Sequence, residues 1–144
     1  MKKRHGLVSC AMIILEKGGK CFFIKRKNTG WEDGKYDLIA GHVEQGEKLA
    51  EAAIREAKEE ADIAIKKENL ELVHILSLKR KDGDALYGYF VAKVWEGEPR
   101  AVEAEKSDGC EWIKKSEIQN REVLDIIKQA FRHIEKGVMY SEYD

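Results

Sequence analysis

The first third of the chain carries short apolar runs separated by polar, glycine-containing stretches. Residues 7–15 and 21–25 are rich in apolar side chains, and a turn signal at residues 17–19 separates them, which predicts two strands joined by a tight turn. The polar residues 25–34 contain two glycines and predict a loop. A short strand is predicted over residues 36–39. The pattern therefore favours a sheet that precedes the first helix.

A helix is predicted over residues 48–61, because this segment contains no glycine or proline and many good helix formers. Its small and apolar side chains recur at helical spacing, so one face is suited to close packing on a sheet. That stripe consists of Ala50, Ala53, Ile54, Ala57 and Ala61. Glu56, Glu59 and Glu60 stand at i, i+3 and i+4, so their carboxylates share one face beside the stripe.

The second half of the chain reads as strands followed by a helical region. Residues 70–79 are extended, residues 81–84 form a hairpin turn signal, and residues 85–95 alternate as a returning strand. A polar loop over residues 96–109 precedes a short strand at residues 110–113. The chain therefore shows a mixed pattern of strands and helical segments.

The last predicted element is a helical region that Ser116 caps and that Gly137 ends. Apolar side chains recur along it at helical spacing and predict one buried face. They are Val123, Ile126, Ile127, Ala130, Phe131 and Ile134. Since the chain has 144 residues and shows neither repeats nor a linker, we expect one domain over residues 1–144.

One pattern around the first helix carries the strongest chemical signal. It has the form G-x5-E-x7-R-E-x2-E-E, where x is any residue. Its specified positions are Gly41, Glu47, Arg55, Glu56, Glu59 and Glu60. A charged helix face is usually only solvated surface. Six specified positions, however, match by chance in a chain of this composition with a probability on the order of one in ten thousand, so the pattern indicates a site.

The three helical carboxylates predict a metal. Like charges on one helix face repel one another in water, and a divalent cation removes that repulsion by using them as hard oxygen ligands. Arg55 stands one turn from both Glu51 and Glu59, so it is expected to pair with either and to fix the orientation of a carboxylate. The spacing therefore predicts a divalent-metal site at the rim of a cleft.

This pattern resembles the Nudix box. Ala57 and Ile63 fill the aliphatic positions of the box, and Asp62 replaces its late glycine. Glycine at that position ends the helix in a left-handed conformation, which aspartate tolerates better than most residues. The flanking segments are similar to MutT-like members, and the likeness covers about residues 7–135. The resemblance implies a Nudix-type α/β/α sandwich with a mixed sheet.

The resemblance also implies a reaction and a cofactor. Nudix enzymes hydrolyse the diphosphate bond between a nucleoside and another group X, with Mg²⁺ or Mn²⁺ as the cofactor. By resemblance, Glu56, Glu59 and Glu60 are metal ligands, and Glu47 is a further ligand or an outer partner. The carbonyl oxygen of Gly41 is expected to complete the metal shell, because glycine lets the main chain come close.

Further catalytic roles follow from the same resemblance. Arg55 belongs to the catalytic set with Glu56 and Glu59. Of these, Glu59 is expected to take the proton of the attacking water. Glu103 and Glu105, in the late polar loop, are alternative bases or extra ligands.

Substrate contacts are expected outside the box. Arg26, at the end of a strand, is expected to hold a terminal phosphate. Tyr87 and Tyr89 are candidates to stack on a base, and strand alternation places both on one face of the sheet. His42, which follows the box glycine, is expected to make a structural hydrogen bond.

Three interpretations of the activity and of the group X stay open. Members that cleave ADP-ribose often carry a proline beyond the box where this chain has Lys79, and its single proline is Pro99. This favours a nucleoside triphosphate, including an oxidised one, cleaved to a nucleoside monophosphate and pyrophosphate. The alternatives are a pyrophosphatase of ADP-ribose or nucleotide sugars, and a nucleotide-binding module without catalysis.

Composition narrows the partners. A net charge of −1 gives no electrostatic case for binding a nucleic-acid polymer. No apolar run approaches membrane-spanning length, and the basic residues 1–5 are not followed by a cleavage-site pattern, so we expect a cytoplasmic protein. The three widely spaced cysteines fit reduced thiols. The small-molecule nucleotide is the expected partner, and the resemblance implies a homodimer.

Overall fold

A computed structural model describes residues 4–144; the first three residues of the basic start lie outside the described part. The strands are β1 (Val8–Lys17), β2 (Lys20–Arg26), β3 (Tyr36–Asp37), β4 (Ile39–His42), β5 (Glu71–Arg80), β6 (Gly83–Ala92), β7 (Ser107–Lys114) and β8 (Tyr140–Tyr143). The helices are α1 (Leu49–Ala61) and α2 (Asp125–Glu135), with 3₁₀ turns at Lys67–Asn69 and Lys115–Asn120.

The sheet is mixed, as predicted. Its strand order is β3-β2-β1-β6-β5-β8, with β4 paired to β1 and β7 paired to β2. Strand β1 runs parallel to β6 and antiparallel to β2 and β4, and β8 runs parallel to β5. The register places Gly41 of β4 opposite Ala11 of β1, so the glycine that opens the box lies within the sheet.

Alternation along β1 divides the core between the two faces of the sheet. Ala11 and Ile13 point to the face that α1 covers, where they pack with its alanines. Met12 and Ile14 point to the opposite face, where they pack with Ile127 and the rest of the apolar face of α2. The predicted α/β/α sandwich is therefore confirmed.

Helix α1 follows its prediction closely, but its buried face is rotated from the expected stripe. The buried alanines are Ala52, Ala53, Ala57 and Ala61, whereas Ala50 and Ile54 are only half-buried. Because Ala52, Glu56 and Glu60 form one i, i+4 row, the rotation carries both glutamates to the edge of the sheet-facing surface. Glu59 lies outside this row and remains 58% exposed.

The C-terminal part corrects three expectations. Ser116 lies in a 3₁₀ turn rather than capping the last helix, and α2 begins after Leu124 without a side-chain cap. The predicted loop over residues 96–109 is too long, because β7 already begins at Ser107. Strand β8 was not predicted. The apolar stripe of α2 does face the core, and the helix ends before Gly137 as predicted.

Within residues 4–144, neither α1 nor α2 has the length and apolar character needed to cross a bilayer.

Candidate active site

The site is built where β4 meets α1. Gly41 allows the contact: a methyl group on its Cα would overlap with the carboxyl group of Glu56. A residue with a Cβ would therefore push α1 away from the sheet. The glycine of the motif has a steric role, and it brings a main-chain carbonyl within the neighbourhood of the helical carboxylates.

Arg55 gathers three carboxylates of the motif. Its Nε donates to Glu47 at 2.7 Å, and its Nη1 donates to Glu56 at 2.6 Å and to Glu59 at 3.3 Å. A further Nη2 bond reaches the His42 carbonyl at 2.9 Å. The expected partner Glu51 instead accepts the main-chain N–H of Lys48 at the start of the helix. Arg55 therefore links the loop before α1 to its glutamates.

Glu47 is the most firmly held of these carboxylates. Besides the Nε bond, its second oxygen accepts Arg55 Nη2 at 3.0 Å and the N–H of Glu44 at 2.9 Å. These bonds, with that of Arg55 the largest, hold the pKa of Glu47 below its usual value. Both oxygens are engaged, so Glu47 acts here as the partner that fixes Arg55.

Glu60 has the opposite environment. One of its oxygens accepts the N–H of Ala40 at 2.9 Å, and the carboxyl group lies close to the sheet. Burial, followed by the nearby charges of Glu56 and other acids, raises the pKa of Glu60 to about 8. Burial also raises the pKa of Glu56, although Arg55 opposes that effect. Among residues 4–144, no basic side chain pairs with Glu60, whereas Arg55 compensates the charge of Glu56 in part.

This donor set fits a divalent cation. Buried carboxylates with raised pKa values are the groups that a bound cation would stabilise in the charged form, and all the donors are hard oxygens. Between Arg4 and Asp144, no group of three His, Cys, Asp or Glu side chains is already arranged around a common point.

A cavity of about 350 Å³ opens beside Glu60. Its wall is mixed, with three acids, two basic side chains and several polar groups. The acids are Asp37, Glu60 and Glu103, and the basic side chains are Arg26 and Lys106. A larger groove of about 570 Å³, around Leu70 and Met139, contains none of the predicted site residues. The smaller cavity is therefore the one that adjoins the motif.

Glu103 joins the box carboxylates from far along the chain. Its charge contributes to raising the pKa of both Glu56 and Glu60, and it lines the same cavity as Glu60. Glu105, the other loop candidate, is exposed and contributes its carbonyl oxygen to a bond from Asn28. The structure thus brings one of the two loop acids to the site.

Arg26 lies on the cavity wall, but most of its guanidinium is already used. Nη1 donates to Asp37 at 2.9 Å, Nη2 to Thr29 at 2.8 Å and Nε to the Trp31 carbonyl at 2.9 Å. The guanidinium also stacks on the Trp31 ring, 4.9 Å from its centroid. The pairing of Arg26 with Asp37 was not predicted, because nothing local in the sequence links a strand end to an acid beyond a loop.

The two candidate tyrosines share a face, as predicted, but only one is accessible. Tyr87 is half-buried, and its hydroxyl accepts Arg80 Nη1 at 3.3 Å. Tyr89 is fully buried in the core under α2, so its ring is not open to a base. The expectation for Tyr89 is corrected: burial on the α2 side makes it a core residue.

Arg80 forms a polar cluster that sequence analysis missed. Its guanidinium pairs with Asp82 at 2.9 Å and approaches the Nε2 of His42 at 3.2 Å. His42 and Tyr87 both flank Cys10 in the sheet register, so Arg80 spans three neighbouring strands. The hydrogen bond expected of His42 is present, and its partner is the side chain of Arg80.

Comparisons with known proteins point to one family. A family model described as NUDIX domain matches residues 5–133. A protein of Methanocaldococcus jannaschii named ADP-ribose pyrophosphatase is 36% identical over 88 residues, which are 61% of this chain and 52% of that protein. This chain thus spans about half the length of that relative.

Solved structures show the same fold. A MutT NUDIX hydrolase from Burkholderia pseudomallei superposes with a TM-score of 0.79 and 22% identity, over 89% of this chain and 98% of that one. A mutator MutT protein from Bacillus halodurans gives a TM-score of 0.74 and 25% identity, over 94% of this chain and 88% of that one. The architecture described above is shared by both.

Proposed function

The chain belongs to the Nudix hydrolase family, and we propose that it hydrolyses a nucleoside triphosphate to a nucleoside monophosphate and pyrophosphate. Ribo- and deoxyribonucleotides, including oxidised ones, are the substrate class. Enzymes of this family act on small nucleotides and use divalent metal ions. Mg²⁺ or Mn²⁺ is the proposed cofactor.

The observation that carries the proposal is that Glu60 and Glu103 line one cavity, with Glu56 close enough to Glu60 for its charge to raise the pKa of Glu60. These acids come from two sheet-facing helix positions and from a distant loop. A folded protein places several acids together at a cost in repulsion, which a cation and a polyphosphate would relieve. On the same wall, Lys106, whose Nζ lies 3.8 Å from Glu103, supplies positive charge towards the phosphates, and Arg26 adds to it although its guanidinium already pairs with Asp37.

The residues that would hold the metal are Glu56, Glu59 and Glu60, with the Gly41 carbonyl oxygen. A bound divalent cation would offset phosphate charge and increase the acidity of a coordinated water. Glu47 takes the outer role, because Arg55 and the Glu44 N–H already engage its oxygens. Arg55 acts as the residue that holds these carboxylates in place.

Glu59 is the proposed general base. It is 58% exposed, and its contact with Arg55, at 3.3 Å, is longer than those that Glu47 and Glu56 make with this arginine. The water oxygen forms a new bond to phosphorus, its proton passes to Glu59, and the P–O anhydride bond breaks. Glu103 is the alternative base, since it lines the cavity that adjoins Glu60.

A second candidate substrate has its own support. The relative from Methanocaldococcus jannaschii is named ADP-ribose pyrophosphatase, and it shares 36% identity over 61% of this chain. Hydrolysis of ADP-ribose would give AMP and a sugar phosphate. Lys79, in place of the proline that such members often carry, supports the triphosphate as the leading substrate.

A metal-dependent hydrolysis screen with products identified by mass tests both candidates. The panel contains canonical and oxidised nucleoside triphosphates, ADP-ribose, nucleotide sugars and dinucleoside polyphosphates, each with Mg²⁺ or Mn²⁺ at mildly alkaline pH. A monophosphate plus pyrophosphate supports the proposal and identifies the base. AMP plus a sugar phosphate moves the assignment to ADP-ribose. Absence of turnover across the panel would contradict both.

Three wider properties are proposed with the function. Cys10, Cys21 and Cys110 are free thiols, which supports a reducing, cytoplasmic setting. The resemblance to MutT-like members supports a homodimer, and light scattering after gel filtration tests it. Residues 1–144 are proposed to be one domain, which a single unfolding transition would support.

A further inference from the structure

The loop that carries Glu103 runs back along the end of α1. Glu96 and Ala64 exchange two main-chain hydrogen bonds, at 2.9 and 3.0 Å. Further on, the Arg100 N–H donates to the Ala61 carbonyl at 3.1 Å, and the Val102 N–H donates to the Glu60 carbonyl at 3.1 Å. These bonds bring the loop towards the carboxylates of α1. Glu103 comes directly after Val102, which makes the last of these bonds to the helix.

The contact between the loop and α1 is centred on the turn at Asp62. Asp62 ends α1 in a left-handed conformation, with φ 56° and ψ 42°. Gly97 lies against it: a Cβ on Gly97 would come 3.2 Å from the Asp62 carbonyl oxygen, and its φ of +100° also favours glycine. Helix end and loop are therefore close enough for side chains to join them.

The Asp62 side chain makes that connection. Its Oδ2 accepts Arg100 Nη2 at 3.4 Å, and its Oδ1 accepts Lys58 Nζ at 3.0 Å. The Lys58 contact stays within the helix, whereas the Arg100 contact reaches across to the loop. A glycine, which the resemblance leads one to expect at this position, would supply the turn but not the ion pair.

Resting on the proposed function, we infer that Asp62 and Arg100 are positioning residues, which hold the loop against the end of α1 and so place Glu103 beside Glu56 and Glu60. The substitution of aspartate for glycine is thus a functional feature of this chain. Asp62 and Arg100 themselves lie outside the cavity wall and touch no reacting group.

The test uses Mn²⁺ alone as the probe and does not depend on turnover. The full chain is titrated with Mn²⁺, free Mn²⁺ is followed by electron paramagnetic resonance, and amide exchange at Val102 is followed by NMR. Asp62→Gly keeps a residue suited to the left-handed turn, and Arg100→Met keeps an aliphatic side chain. Each is expected to weaken Mn²⁺ binding about two- to fivefold, the range of an exposed ion pair, and to speed exchange at Val102.

Matched variants separate positioning from general effects. Lys58→Met removes the other partner of Asp62 and should leave Mn²⁺ affinity and Val102 exchange at wild-type values. Arg100→Lys should recover most of the affinity. In a Glu103→Gln background, Arg100→Met should cause no further loss, because the carboxylate that it positions is gone.

Two results would overturn the inference. One is unchanged Mn²⁺ affinity and Val102 exchange in both Asp62→Gly and Arg100→Met. The other is an equal loss on Arg100→Met with and without Glu103. A protein that shows the expected Mn²⁺ pattern but hydrolyses nothing in the substrate panel would instead contradict the proposed function and leave the positioning role standing.

Discussion

Arg55 donates to Glu56, its immediate neighbour in the chain, at 2.6 Å, although adjacent residues on a helix point in different directions. The contact is possible because the guanidinium reaches back to the loop that precedes α1, where it also contacts Glu47. Only 12% of the Glu56 side chain is exposed, so this ion pair lies at the edge of the core. Arg55 therefore sets the direction in which Glu56 faces the sheet.

Replacing Arg55 with glutamine should weaken metal binding and hydrolysis together. The substitution frees Glu47, Glu56 and Glu59 from a common donor, so their oxygens no longer keep a shared orientation. Loss of a partner that orients metal ligands costs about 10–100-fold in metal affinity or activity. Isothermal titration with Mn²⁺ and the Mg²⁺ dependence of turnover measure the effect.

Arg55→Lys is the comparison for that experiment. Lysine keeps the charge but not the planar set of donors that reaches Glu47 and Glu56 at once. It should therefore recover only a part of the lost metal affinity. Wild-type Mg²⁺ activation in Arg55→Gln would show that the glutamates do not need this arginine.

Gly41→Ala should disturb both stability and activity. The new methyl group would overlap with the Glu56 carboxyl group, so α1 or the carboxylate must move. Overpacking of this kind destabilises by about 1–3 kcal/mol, which urea unfolding measures. Gly6→Ala is the matched control, since a Cβ there has no neighbour within 4 Å. Equal stability of the two variants would contradict a steric role for Gly41.

His74 should make the protein less stable in mild acid. It is fully buried, its Nδ1 donates to the Val138 carbonyl at 2.8 Å, and its Nε2 accepts the Ser141 hydroxyl at 2.7 Å. Burial, together with the charge of the stacked His133, lowers the pKa of His74 below 6.5, although the Val138 bond opposes this. The folded state therefore favours the neutral ring.

The direction in which stability changes with pH follows from proton binding. Below pH 6.5 the unfolded chain protonates this histidine while the folded chain does not, so its contribution is fully present above that value and is lost as pH falls towards the folded pKa. Urea unfolding of wild type and His74→Gln between about pH 5 and 8 measures it. The variant should be less stable at the upper end and should show a smaller acid loss, whereas His5→Gln, at an exposed site, should retain the wild-type slope.

The parts of the fold that depend on nearby residues could be predicted from the sequence. Helix α1 and its carboxylates follow from periodicity within one segment, and the left-handed turn at Asp62 follows from the position that a glycine would fill. The two faces of β6 also follow from alternation. Which face α2 covers is decided by packing of distant segments, and this is why Tyr89 proved to be buried.

Long-range pairing explains the other omissions. Strand β8 is only four residues long and forms by pairing with β5, so its local sequence carries no periodicity that would predict it. The bond between Arg26 and Asp37 joins β2 to β3 across a loop, and it converts an apparent phosphate ligand into a largely occupied side chain. Glu103 was an open alternative in the sequence because its position depends on how the loop returns to α1.

Glu59→Gln should abolish most turnover and leave the fold intact. The amide keeps the shape of the side chain but cannot take a proton, and loss of a general base lowers the rate about 10²- to 10⁴-fold. Since Glu59 is exposed and makes a single contact with Arg55, thermal unfolding should change little. Steady-state hydrolysis and circular dichroism measure the two properties on the same sample.

Glu103→Gln is the informative partner of that variant, because both side chains are exposed acids and Glu103 lines the cavity beside Glu60. If Glu59 is the base, Glu103→Gln should mainly raise the Mg²⁺ concentration needed for activity, and added Mg²⁺ should restore much of the rate. Chelation of the metal should stop wild type and both variants alike. A Glu59→Gln enzyme that keeps its rate, beside a Glu103→Gln enzyme that loses it at saturating Mg²⁺, would move the general base from α1 to the loop.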